Sequence, residues 1–418
     1  MLGLLVNPVA GVGGPAGLAG SDGADVQRAA ASRGSTARAA SRAAAALEAL
    51  TAGTVVLTAA GTMGEDAVRA AGLEPRVVYT PGAKTTPADT SAAARALAEA
   101  GATLVLFAGG DGTARDVAAG LDAFRLAPLA QRPDAEQPPV APRGRAERAR
   151  DETEAPAALG VPAGVKMYSP VFAVSPRAAG GLAASWLSGT LPVQQREVLD
   201  IDEEALRRAR VEPRLFGMLA VPFSPGRTQA RKAPTPTSER DAVAAAARGA
   251  VALFRPGVRY LLGPGGTMAE AARALGLDGS PLGVDVLLDG ALVRRAASEQ
   301  ELLDEIARGP AQAVVTVIGG QGFLLGRGNQ QLSARVLRAI GDGPDGTGPL
   351  LVVAPEAKLI ELHGAPLLVD TGDAAVDASL TGFVRVVTGP GASSFYPVHA
   401  PELEHQRLPE QEGGRHAS

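Results

Sequence analysis

Five apolar residues, Leu104-Val105-Leu106-Phe107-Ala108, run without interruption into Gly109-Gly110-Asp111-Gly112-Thr113 and then into helix-forming sequence. A strand without alternation has both faces covered, which is the situation in a parallel sheet flanked by helices. Ligands of such sheets bind at the carboxyl ends of the strands. Glycines there allow an anionic group to approach the backbone, and the following helix start offers oriented N–H groups and partial positive charge. Asp111 therefore sits where a hydroxyl nucleophile or a Mg²⁺ ion would meet a transferred phosphoryl group. The plain alternative is a strand-to-helix turn capped by an aspartate. Two glycines before Asp111 and Gly-Thr after it argue against that alternative.

The same alternation governs the rest of the chain. Strands are expected at 2–6, 54–57, 77–79, 103–108 and 159–161, separated by helices at 36–50, 91–100 (N-capped by Asp89 or Thr90), 114–121 and 178–188. A further strand at 194–201 leaves this first unit. Beyond it, a helix at 242–254 and strands at 260–262, 283–288, 291–294, 314–318, 350–353, 367–369 and 383–387 are interleaved with helix signals at 266–275, 299–308 and 333–340. Asp289-Gly290 predicts a tight hairpin. The chain has 418 residues, enough for two domains. The expected fold is α/β: an N-terminal doubly wound Rossmann-like domain (1–190) and a second mixed α/β domain (191–400), with the active site in the cleft between them and a flexible tail at 401–418. Segments 125–157 and 224–241 are rich in Pro, Ala and charge and read as insertions, the first disordered.

Composition narrows the chemistry. With no cysteine, disulfides, zinc-thiolate sites and thiol nucleophiles are excluded. A net charge of −4 supplies no broad basic field for nucleic acid, and no apolar run is long enough to span a membrane. The start of the chain lacks a basic segment and cleavage site, so a cytoplasmic location is expected. The four histidines all lie in the last quarter, and neither G-x-S-x-G nor G-x-x-x-x-G-K-[ST] spacing occurs. In the second half, GPGGTM (263–268) follows a strand and opens a helix, making Gly265 and Thr267 candidates for holding an anion. Asp285, Asp370 and Asp373 at strand ends are weaker candidates for a metal, since such residues more often form turns.

Several blocks, taken in order, resemble the ATP-NAD kinase-like proteins of the superfamily that includes diacylglycerol and sphingosine kinases. They are LLVNPVAGVGG (4–14), AGLAGSDG (16–23), MGEDA (63–67), TTPADT (85–90), FAGGDGTARD (107–116), GVPAGVKMYSPVFAV (160–174), GPGGTM, VDV (284–286), IGGQGFLLGRGNQQ (318–331) and VDTGD (369–373). The resemblance implies phosphoryl transfer from ATP, or from polyphosphate, to the adenosine ribose 2′-hydroxyl of NAD, giving NADP. It places phosphate binding at Gly109, Gly110, Gly112 and Thr113, with Asp111 as base or Mg²⁺ ligand and Asn7 beside them. The loop GVPAGVKMYS resembles the Gly-x-Pro-x-Gly loops of lipid kinases and offers Lys166 and Ser169 to the nucleotide. One departure stands out: where a lysine is expected in the Gly-Leu-x-Gly block, this chain has Ala19, which either weakens the kinase assignment or shifts phosphate holding to Lys166. Two alternatives stay open: a non-catalytic nucleotide-binding accessory protein of the acetoin-catabolism protein X type, and a kinase for a lipid or small-metabolite hydroxyl. Monomer and homo-oligomer are both open.

Overall fold

The computed structural model describes residues 1–18, 20–21, 23–126, 155–165, 167–189, 191–201, 213–224, 226–229, 240–280, 282–344 and 346–404. Its first layer is a sheet of five parallel strands: β1 (Leu2–Val6), β2 (Val55–Ala59), β3 (Glu74–Tyr79), β4 (Leu104–Gly109) and β5 (Ala157–Pro162), in the spatial order β3-β2-β1-β4-β5. Strands β1, β4 and β5 are buried at every residue, which is why their sequences are continuously apolar. The helices between them are α1 (Ala24–Ser32), α2 (Ala39–Leu47), α3 (Glu65–Ala70), α4 (Pro87–Glu99), α5 (Asp111–Leu126) and α6 (Pro176–Leu187). Helices α2 and α6 pack as one pair and α4 and α5 as another, covering the sheet with alanine-rich faces. The chain winds outward from β1 to β3, then returns to lay β4 on the other side of β1. The strand order therefore reverses between β1 and β4, the position where such sheets bind ligands.

A two-stranded antiparallel ribbon follows, β6 (Val193–Ile201) and β7 (Pro213–Pro222). It packs on α5 and β5, and Val198, Leu219 and Val221 enter the first core. Helix α7 (Arg240–Val251) leads to an eight-stranded mixed sheet. Its strands are β8 (Arg259–Leu262), β9 (Val284–Leu288), β10 (Ala291–Ala297), β11 (Ala311–Thr316), β12 (Leu350–Val353), β13 (Leu367–Leu368), β14 (Gly382–Gly389) and β15 (Ala392–His399). Their order is β10-β9-β8-β11-β12-β14-β15-β13, and helices α8 (Gly266–Ala274), α9 (Glu299–Ile306), α10 (Ala334–Ile340), α11 (Glu356–Ile360) and α12 (Ala374–Ser379) accompany them. Asp289 (φ 50°) and Gly290 (φ 76°) both have positive φ, so the Asp-Gly hairpin between β9 and β10 is the two-residue turn the sequence foretold. The Rossmann-like sheet followed by a mixed α/β unit is the expected fold class. We propose the domain limits 1–190 and 191–400, with the ribbon as the connection between the two sheets.

Some expectations are corrected. Helix α4 begins at Pro87, not 91. Thr86 precedes it, and Asp89 is the third helical residue, accepting from the Thr86 N–H at 2.8 Å in a capping box. Helix α5 starts on Asp111 and runs through Leu126, into the segment read as an insertion. At its other end Ala157 opens β5, and 127–154 between them lie outside the described residues, as do 225 and 230–239 of the second insertion and 405–418 of the tail. Pro401–Glu404 form a short helix, α13, whose Glu402 accepts from the Arg177 N–H and pairs with its guanidinium. Strands β7 and β15 and helices α1, α3, α11, α12 and α13 were not expected from the sequence. No helix among the described residues is long and apolar enough to cross a membrane.

Candidate active site

At the β1–β4 reversal the two chains part and leave an open end. Val6 lies opposite Ala108, and the Asn7 N–H still donates to the Ala108 carbonyl at 3.0 Å. Beyond that point Asn7 turns its side chain to the corner: Nδ2 donates to Thr113 Oγ1 at 2.9 Å, and Oδ1 accepts from the Val9 N–H at 3.2 Å. Helix α5 begins here. Ala114 N–H donates to Gly110 O at 3.0 Å, so the amides of residues 111–113 precede the helical ladder and have no acceptor within it. They add to the positive end of a 16-residue helix.

This corner forms one wall of a cavity of about 910 Å³. Asn7, Gly110, Asp111, Gly112 and Thr113 line it, together with the loop after β1 (Pro8 to Gly11, Gly20, Ser21), Thr86 and Thr90 at the start of α4, and Gly164. Asp200, Arg214 and Phe216 of the ribbon line it too. None of the lining residues belongs to the eight-stranded sheet, so the part of the second unit that closes the site is the ribbon. Ligand pockets commonly measure about 300–1,000 Å³, so this one is large enough for a nucleotide.

Asp111 is the chemically distinctive group. It is 3% exposed at the cavity wall. Oδ2 accepts from the Tyr168 N–H at 2.7 Å, and Oδ1 accepts from the Ser169 N–H at 3.0 Å and from the Ser169 hydroxyl at 2.7 Å. Burial pushes its carboxyl up to about 7, the bonds from Ser169 and Tyr168 opposing that rise and Asp200 adding to it. The neighbouring Tyr168 phenol is pushed up to about 12, by burial first and by Asp111 second.

The other candidates divide. Gly109 does not face the cavity: a Cβ there would lie 2.3 Å from Thr113 Oγ1, so its smallness serves the tight turn. Its carbonyl accepts from the Ala163 and Gly164 N–H groups at 3.0 and 2.8 Å. Ser169 is fully buried, clipping Asp111 to β6 through the Leu199 N–H, which donates to its Oγ at 2.9 Å. Lys166 and Ala19 lie outside the described residues. Gly265 and Thr267 are not brought to the corner. They begin α8 after β8, and Thr267, itself buried, accepts from Lys358 Nζ at 3.3 Å. Glycine turns after strands carry the same local signature wherever the strand lies, and only the topology separates the two.

Asp370 is likewise not a metal ligand. It lies in a buried cluster joining the two halves: Arg42 of α2 donates to Oδ2 at 2.5 Å and to Oδ1 at 3.1 Å, and Arg327 donates to Oδ2 at 2.9 Å. Arg327 also donates to Val174 O and to Gln229. Asp285 accepts from the Ser280 and Ala296 N–H groups, and Asp373 caps α12. These roles are structural.

Sequence reasoning missed Arg115, Asp116, Asp200, Arg214 and Phe216 on the cavity wall. Arg115 was within reach: it follows Asp111 by four residues on α5 and so shares its face. Its guanidinium bridges Asp116 at 3.2 Å and Asp200 at 2.8 Å, fastening the ribbon to the helix. The ribbon residues carry no motif.

No group of three or more acidic or histidine residues able to hold a metal occurs among the described residues. Asp111 keeps one of its roughly four lone-pair sites beyond its three donors, however, and Mg²⁺ usually takes only one or two carboxylates, completing its shell with phosphate oxygens and water. The residues present thus fit an ion that arrives on a nucleotide's phosphates.

A sequence model described as the ATP-NAD kinase N-terminal domain matches residues 2–126, and one described as the ATP-NAD kinase C-terminal domain matches 255–398. Comparison with curated proteins and with solved structures gave no match. The first matched region carries the corner and most of the residues that line the cavity, the second the mixed sheet, and both occur in one chain in that order. The chain belongs to the ATP-NAD kinase family.

Proposed function

We propose that the chain transfers the terminal phosphoryl group of ATP, or of polyphosphate, to the 2′-hydroxyl of the adenosine ribose of NAD, yielding NADP. The observation that carries this reading is Asp111: a cavity-lining carboxyl whose pKa is raised to about 7, on the first turn of a helix whose opening residues line the same cavity. A general base works best when its pKa lies near the working pH.

Donor phosphates would lie against the amides of residues 111–113 and the small faces of Gly110 and Gly112. Asn7 holds Thr113 Oγ1 as an acceptor, which fixes that wall. Ionised Asp111 takes the proton of the ribose 2′-hydroxyl as its oxygen attacks the phosphorus. The new P–O bond forms while the bond to the leaving diphosphate breaks, and the electron pair departs with ADP. Tyr168 and Ser169 hold the carboxylate in place through its other lone pairs. Mg²⁺ bound on the donor phosphates would supply charge neutralisation on their oxygens, the one lone pair that Asp111 has left serving the hydroxyl proton. Positioning and electrostatics of this kind dominate phosphoryl transfer.

The test is direct. Purified protein with ATP, Mg²⁺ and NAD should form NADP and ADP in equal amounts. ADP formation dependent on another alcohol in place of NAD would reassign the acceptor. One observation favours a second reading, a non-catalytic nucleotide-binding protein: both Asp111 oxygens are already bonded to the 168–169 loop, as a structural clip would be. ATP binding without turnover over a panel of acceptors would select it.

A further inference from the structure

Aromatic residues make up only 3% of the chain, and one of them, Phe216, is the sole aromatic side chain on the cavity wall among the described residues. The ribbon places it there by a bulge. Val198 pairs with Gly217 and Leu199 with Leu215, leaving Phe216 as the extra residue with no partner on β6. Bulges re-aim a side chain and recur beside active sites. The neighbours on β7 behave otherwise. Leu219 and Val221 enter the core, and Gly217 faces Ala118 and Asp122 of α5. Leu215 and Met218 are exposed but do not line the cavity.

Phe216 remains 42% exposed, and no other ring among the described residues stacks on it. The guanidinium carbons of Arg115 and Arg214 stand 5.7 and 5.6 Å from its ring centroid. A tight guanidinium–ring contact exists elsewhere in the molecule for comparison, Arg327 over Phe323 at 4.0 Å. Both guanidiniums therefore lie over the Phe216 ring as looser cation–π contacts than that one, and the half-exposed ring lines the cavity. An aromatic face bordered by guanidiniums is the chemistry that receives a flat base attached to phosphates.

We infer that Phe216 is the stacking platform for the adenine ring of the nucleotide, with its phosphates directed to the α5 corner and Arg214 at the base's edge. The inference rests on the proposal that this cavity binds nucleotide phosphates. It assigns base selectivity to the ribbon and phosphate holding to the helix start, two separable parts of one site.

The experiment compares ATP with inorganic tripolyphosphate, which lacks a base, by calorimetric titration of the intact protein. Stacking on an aromatic residue changes affinity by roughly 5- to 150-fold per base. Phe216→Ala should weaken ATP by at least ~5-fold on that scale and leave tripolyphosphate unchanged. Phe216→Trp should keep ATP binding near wild type, and Leu215→Ala, outside the cavity, should change neither ligand. ATP affinity unaltered by Phe216→Ala overturns the inference. So does an equal loss for both ligands, which would mean that Phe216 only shapes the pocket. Failure of the kinase reading looks different: ATP still binds and depends on Phe216, but no NADP appears. If the wild-type protein binds neither ligand, both readings fall.

Discussion

Two aspartates, Asp111 and Asp370, are each 3% exposed and each belong to a glycine-flanked turn after a strand, yet their acidities diverge in opposite directions. Asp111 is surrounded by neutral donors and is pushed up to about 7 by burial, with N–H and O–H bonds opposing. Asp370 suffers the same burial, but Arg42 and Arg327 overcome it and hold the carboxyl down to about 2. The difference teaches what burial alone does not decide. Hydrogen bonds from neutral groups reduce the cost of a buried carboxylate without cancelling it, whereas two guanidiniums more than cancel it. One aspartate can exchange a proton at neutral pH. The other is a permanent anion that ties the first sheet's helix α2 to the second unit.

The largest effect expected is on turnover. Asp111→Asn removes the proton acceptor, and general-base assistance is typically worth about 10²–10⁴-fold. Turnover should fall by that order while ATP affinity changes little. The pH profile sharpens the point. Wild-type activity should rise with pH through about 7, as Asp111 ionises. In Asp111→Asn the residual activity should lose that limb. A variant with wild-type turnover and an unchanged limb would remove Asp111 from the chemistry and leave it as a clip.

Next in size is stability. Asp370→Ala leaves two buried guanidiniums without their counterion, and breaking such a cluster costs about 3–5 kcal/mol. Denaturant unfolding at neutral pH should show a loss of that order. The pH dependences of the two carboxyls have opposite sign. Asp370 is depressed in the folded protein, so its contribution is present above an unfolded value of about 3.9 and is lost as pH falls toward 2. Asp111 is raised, so its contribution is complete below about 3.9 and is lost as pH climbs through about 7, at up to about 1.4 kcal/mol per pH unit. Asp111→Asn should flatten the decline between those values, and Asp370→Ala should flatten the acid limb. Parallel pH curves for the two variants would show that the aspartates do not differ as their surroundings imply.

What could be read from the sequence follows the same division. The corner was legible because a continuous apolar run and a fixed glycine pattern are local, and Asn7 was legible because the first strand of such a sheet is central. Ser169 was singled out as a ligand contact, whereas it holds Asp111, 58 residues away in the chain. No short-range pattern encodes that partnership. Gly265 and Thr267 misled for a related reason: glycines after a strand look alike, and their distance from the cavity follows from which sheet the strand joins. Phe216 was invisible because its position depends on a one-residue slip between β6 and β7, which exists only once the two strands pair.

The smallest effect tests how finely the neutral donors set the Asp111 carboxyl. Ser169 Oγ both donates to Asp111 and accepts from the Leu199 N–H. Ser169→Ala therefore removes the leading influence that lowers the Asp111 pKa and orphans one buried amide. The second loss costs about 1–3 kcal/mol of stability. The first should move the activity limb to higher pH, because burial then acts with less opposition. Ser169→Thr keeps the hydroxyl and should restore the limb even if packing suffers. A stability loss with the limb unmoved would mean that the Tyr168 and Ser169 amides alone hold the carboxylate. The base would then be set by the loop backbone, with the hydroxyl serving only to fasten β6.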